Sequence, residues 1–338
     1  MVEVDIMISG ILMCCDETLC GISLGRGYII EKCELNTLFF NNKIINGEGK
    51  LDVAYYNSQI IENGEVFFIC IKKHDLKVLD GPKFGEGRNA ITSEECMCED
   101  ELAEYREKEM QYLQERINLL RIFKEGNIGF KTVFFSYSFE TMGIFNVSLD
   151  DCSTYEGRNI IANNSFTLDA IEVEECNRWL NDYSGNSYAL LKNSIEEFSW
   201  GLEQIDIPTG FEQYTTTLEM TLLPSNKHGK KQMLANRISA MLESTPLKIQ
   251  QVHEKILVFY RFRSESLHEG DGSSITASEL HELEELTRGV LKKCLIRCKY
   301  ECDLNSNITW EAIKEKIMNE LVERVKDLKV SGILPEQS

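Results

Sequence analysis

Apolar positions recur along this chain with two different periods, and the change from one to the other divides it. Residues 4–13, 28–35, 51–57 and 64–73 are rich in β-branched and aromatic side chains, with turn signals such as Asn63-Gly64 between them. Runs of this kind predict strands, so the front of the chain is expected to form a sheet. A stretch rich in glycine and charge, residues 80–100, interrupts the pattern and predicts a long loop or hinge. Beyond it Met110, Leu113, Ile117 and Leu120 recur at helical spacing with Glu and Arg on the other faces, which predicts an amphipathic helix. The segments 132–139 and 142–149 read as strands again.

From about Ser165 the two-residue period disappears and the helical one takes over. Thr167 is placed to cap a helix carrying Trp179, and Asp206 with Pro208 mark the start of another. In that helix Phe211, Tyr214, Leu218 and Leu222 form one apolar face, and Pro224 ends it. Further helices are predicted over residues 231–243, 247–268, 276–300 and 309–329. The expected fold class is therefore α+β: a strand-rich α+β domain over residues 1–164, followed by an all-helical bundle over 165–338. A length of 338 residues suits two cores.

Charge changes the picture because it is uneven. The net charge is −19, of which residues 1–200 carry −16 and residues 201–338 only −3. In the back part, Lys227, Lys230 and Lys231 gather around Gly229, and Arg288, Lys292, Lys293, Arg297 and Lys299 share one helix. Both clusters fit a face that docks a polyanion, and both fit a solvated surface. The N-terminus lacks the basic and apolar segments of a secretory leader, so the twelve cysteines are expected as reduced thiols in a cytoplasmic protein. No apolar run is long enough to span a bilayer, and no membrane partner is expected.

Candidate chemistry lies at the end of the helix over 247–268, in YRFRSESLHEGDG. Ile249, Val252, Ile256, Phe259 and Tyr260 set its apolar face, and the helical period brings Arg263 to the edge of that face. A guanidinium there needs an anion or an acceptor. His268 follows five residues later, and Gly270 and Gly272 suit a helix end close by. A helix C-terminus favours the imidazolium, the form that acts as a general acid.

Arg263 and Ser264, followed by three residues and His268, resemble the signature of the HEPN superfamily of ribonucleases, and more narrowly the ApeA-like HEPN proteins of bacterial defence. The setting is similar too: the Leu218-Glu219 pair precedes LANRISAMLE, and a Y-x-x-R stretch from Tyr260 leads to H-x-G at His268 to Gly270. The resemblance covers roughly residues 165–330. It implies a HEPN-like bundle and metal-independent endoribonuclease activity in an antiphage effector or toxin. A ribose 2′-hydroxyl would attack the neighbouring phosphate and leave a cyclic phosphate, with His268 moving protons and Arg263 stabilising the phosphorane. Ser264 would orient His268 or contact phosphate, and Glu219 would fix Arg263. It also implies a homodimer with facing motifs, an RNA substrate with transfer RNA among the candidates, and a phage-derived trigger. Lys230, Lys231, Arg288 and Lys292 are the expected RNA contacts. A non-catalytic RNA-binding or protein-interaction module is the alternative, and a plain Arg263–Glu219 or Arg263–Glu265 ion pair, with His268 merely capping its helix, the bland one.

Other candidates carry less. Cys294, Cys298 and Cys302 form one helical stripe that reads as core thiols before it reads as a metal site. Cys96 and Cys98 lack a second ligand pair, GEGK at 47–50 lacks the Ser or Thr of a phosphate loop, and the glycines over 81–87 match no nucleotide fingerprint. No metal and no cofactor are expected.

Overall fold

A computed structural model of the chain describes residues 2–34, 60–62, 65–79, 94–126, 128–139, 165–224, 229–269 and 275–336. The expected strands at 51–57 and 142–149, the GEGK segment, the glycines over 81–87, Lys227 and His228, and the expected capping glycines Gly270 and Gly272 lie outside them. The chain is α+β, a strand-rich N-terminal half-barrel sheet followed by a helical C-terminal region. Two compact units emerge from its contacts. Of the described residues, those up to Leu120, from Gly126 to Phe139 and from Ser165 to Asn181 belong to the first, and Arg121–Glu125 with everything from Asp182 onward to the second.

The first unit is an antiparallel sheet with β1 (Val2–Met13) between β5 (Glu65–Leu79) and β6 (Gly129–Phe139). Beyond β5 follow β3 (Tyr28–Glu34) and β2 (Ser23–Gly25), and β4 (Ile60–Glu62) pairs with β5 as well. The two-residue period does its expected work in β1, where Val4, Ile6 and Ile8 are buried and Glu3 is exposed.

Helix α1 (Glu94–Phe123) buries Leu113, Ile117 and Leu120, each worth roughly 1.5–3 kcal/mol of removed apolar surface. It begins inside the stretch expected to be a loop, because Glu94 to Asp100 lack the glycines that precede them and continue the helical run. A polar network fastens helix to sheet: Glu109 accepts from Tyr28 Oη at 2.6 Å and from Lys73 Nζ at 2.9 Å, and Asp75 accepts from Tyr105 Oη at 2.8 Å. Tyr112 Oη donates to the Leu24 carbonyl, so close to Gly25 that a Cβ there would meet the hydroxyl. With φ at +81°, only glycine suits that position.

Helix α2 (Ala170–Asp182) belongs with the sheet and is held by Trp179 Nε1 to the Leu119 carbonyl and Arg116 to the Leu180 carbonyl. Its N-terminus corrects the expected cap: Asp169, not Thr167, accepts from Ile171 N and Glu172 N while Glu172 reaches back to Asp169 N. A carboxylate directly before the first turn closes a reciprocal cap that Thr167 is too far upstream to make.

The second unit holds α3 (Asn186–Glu203), α4 (Ile207–Leu222), α5 (Lys230–Leu242), α6 (Pro246–Glu269), α7 (Ala277–Leu304) and α8 (Trp310–Val330). Asp206 caps α4 through Thr209 N, with Pro208 in the first turn as expected. Thr276 and Glu279 make a capping box on α7. Gly201 of α3 faces the ring of Tyr214, which occupies the space a Cβ would need and brings Phe198 and Tyr214 to 5.4 Å between centroids. Cys294 and Cys298 are buried in this core, and burial pushes the Cys294 thiol up to about 12.

Candidate functional site

Helix α6 carries the expected motif on continuous helix up to Glu269. Its buried side includes Ile249, His253, Ile256 and Phe259, with Phe259 edge-on to Phe211 of α4 at 5.5 Å. Tyr260 and Arg263, one turn apart, lie at the border of that side. Arg263 retains 20% side-chain exposure, and the Glu219 carboxylate of α4 only 15%.

Four side chains converge there. Glu219 Oε1 accepts from Arg263 Nη1 at 3.0 Å and from Tyr260 Oη at 2.8 Å, and Glu219 Oε2 lies 3.5 Å from Lys230 Nζ at the start of α5. Burial and then the Glu219 carboxylate push the Tyr260 phenol up to about 12, against the opposing pull of Arg263. Tyr260 therefore keeps its proton at neutral pH and serves as a donor. Arg263 Nε is buried without an acceptor among the described residues, so the guanidinium is held at one corner and open at another.

The motif's other members are placed differently. Ser264 is exposed. His268 lies within α6, about 140° around the helix axis from Arg263, and its side chain is outside the described residues. Sequence reasoning assigned Tyr260 to the apolar face and missed its hydroxyl; the three-residue spacing to Arg263, which puts both over Glu219, was the available signal.

The expected RNA contacts separate. Lys231 is exposed and Lys230 half-exposed beside Glu219. Arg288 does not belong to a surface: it is 4% exposed, paired with Glu284 and Glu285, and donates through Nε to the Arg121 carbonyl at 2.8 Å. Lys292 Nζ donates to the Phe123 carbonyl at 3.0 Å. Lys293 donates to the Met241 and Leu242 carbonyls, Arg297 pairs with Glu301 and Glu320, and Lys299 with Asp303. The row of cations on α7 is thus spent on helix C-termini and carboxylates, which is why sequence spacing alone made it resemble a docking face.

His281, Glu284 and Glu285 bring ligand atoms within 4.8 Å of one another. Arg288 already occupies both carboxylates, and its fixed charge opposes a cation there.

No family model, curated protein or solved structure matches the chain. Among the described residues no helix is long and apolar enough to cross a membrane.

Proposed function

We propose that the helical unit is a HEPN-type endoribonuclease, an effector of antiphage defence or a toxin, that cuts RNA without a metal in the cytoplasm. The observation that carries this reading is the Arg263 guanidinium, fixed at the border of α6 by Glu219 with no acceptor for its Nε among the described residues, five residues before His268. A phosphate oxygen supplies the acceptor such a group lacks, and the charge grows as the phosphorane forms. His268 is the proton carrier, its ordinary pKa lying near neutrality. Arg263 and His268 occupy backbone positions about 140° apart around the axis of α6, and a second copy of the chain completes the cleft. RNA is the substrate, and a phage-derived trigger releases the activity.

A non-catalytic HEPN module that binds RNA or a protein is the second reading. It is favoured by Glu219, which already neutralises Arg263 within the chain.

The test is induced expression of the wild type beside Arg263→Ala and His268→Ala, with growth followed and total RNA sequenced at its cut ends. The ribonuclease reading expects arrest and cyclic-phosphate ends from the wild type alone. Identical behaviour of all three, during phage infection as well, would hand the site to the binding module.

A further inference from the structure

Glu219 and Lys230 also line a groove of about 790 Å³ formed by α3, α4, α5 and α8. That volume lies in the range of small-molecule sites. Two cations are sunk into it. Arg237 is only 7% exposed and donates through Nη1 to the Leu222 carbonyl; Lys314 donates through Nζ to the Met220 carbonyl. Both therefore hang from the last turn of α4, each using one of its several donors there.

Neither forms an ion pair among the described residues. Burial, and after it the neighbouring Arg237 charge, lowers the pKa of Lys314, with Glu311 offsetting part of the loss; burial alone lowers that of Arg237. Helix-terminal carbonyls supply only partial negative charge. Two like charges side by side in a partly desolvated groove are costly until an anion joins them. Phosphate suits the pair better than a carboxylate does, because it presents oxygens to a guanidinium fork and an ammonium together and carries close to two charges. Trp310, half-buried on the rim, and the thioethers of Met220 and Met318 add a flat, polarisable wall beside these cations.

We propose that this groove binds a free nucleoside phosphate, its phosphate on Arg237 and Lys314 and its base against Trp310. The proposal stands apart from the ribonuclease reading, since its test reads no RNA cleavage.

Calorimetric titration of the full chain with the four ribonucleoside diphosphates, pyrophosphate and a hexaribonucleotide decides it. Saturable binding of at least one diphosphate is expected, weakened about tenfold or more by Lys314→Glu. Trp310→Ala is expected to weaken the nucleotide several-fold and leave pyrophosphate unchanged, which separates base from phosphate contacts. Circular dichroism confirms that each variant is folded; Trp310→Ala, on the rim, carries the test by itself if Lys314→Glu is not. No binding of any diphosphate, binding indifferent to the folded variants, or binding of the hexaribonucleotide alone would each overturn the proposal.

Discussion

Tyr260 carries a proton whose affinity reports on the candidate site. The folded protein holds that proton up to about pH 12, whereas an unfolded chain releases it near 10. Its contribution to stability is thus complete below about pH 10 and is lost as the pH climbs towards 12, because the unfolded state then binds fewer protons than the folded one. The stability difference between wild type and Tyr260→Phe should shrink over that window in denaturant titrations. Glu219→Gln should bring the phenol's titration down, since the carboxylate that accepts its hydrogen bond is gone. An unchanged titration in Glu219→Gln would mean that burial alone sets the shift. Arg263 at the edge of the apolar face was legible from the helical period, and Glu219 as its partner from the resemblance. The second claim on that carboxylate was not, because only packing between α4 and α6 brings the Tyr260 hydroxyl to it as well.

At the scale of the element, the helical unit ends its helices with borrowed cations. Arg237 and Lys314 serve α4, Lys293 and Arg324 serve α5, and Arg288 and Lys292 serve the last turn of α1. A sequence shows only that a helix is basic; whether its charges meet solvent or another helix's carbonyls depends on contacts far apart in the chain. Helix periods, the Asp206 cap and the end of α4 before Pro224 were legible because they are local. The long strands β1, β3, β5 and β6 were legible as segments, whereas the three-residue β2 and β4, too short to show a period, and the strand order, with β1 between β5 and β6, were not. The Arg288 network tests this view of α7. Arg288→Met strands the buried Glu284 carboxylate, which also accepts from the Tyr214 hydroxyl at 3.3 Å, and should cost about 3–5 kcal/mol. Adding Glu284→Met should recover a large part of it. A single variant near neutral in urea unfolding of the helical signal would return Arg288 to the surface.

Across the whole molecule the units are not consecutive pieces of chain, since Arg121–Glu125 belongs with the helices although the helix that leads into it belongs largely with the sheet. The uneven charge, −16 against −3, invites the idea that the acidic front part restrains the helical one, and a fragment lacking residues 1–164 is the obvious probe. That deletion also removes the carbonyls of Arg121 and Phe123, on which Arg288 and Lys292 rest, and the Arg121 guanidinium that meets Glu203 at 2.8 Å. The fragment should therefore melt below the helical transition of the full chain, whatever its activity. Lys292→Met separates the two effects. In the full chain it removes a donor from the end of α1 and should cost about 0.3–1 kcal/mol. In the fragment that carbonyl is absent, and the same substitution should cost less. Equal costs in both backgrounds would mean that Lys292 acts within its own helix and not on the end of α1.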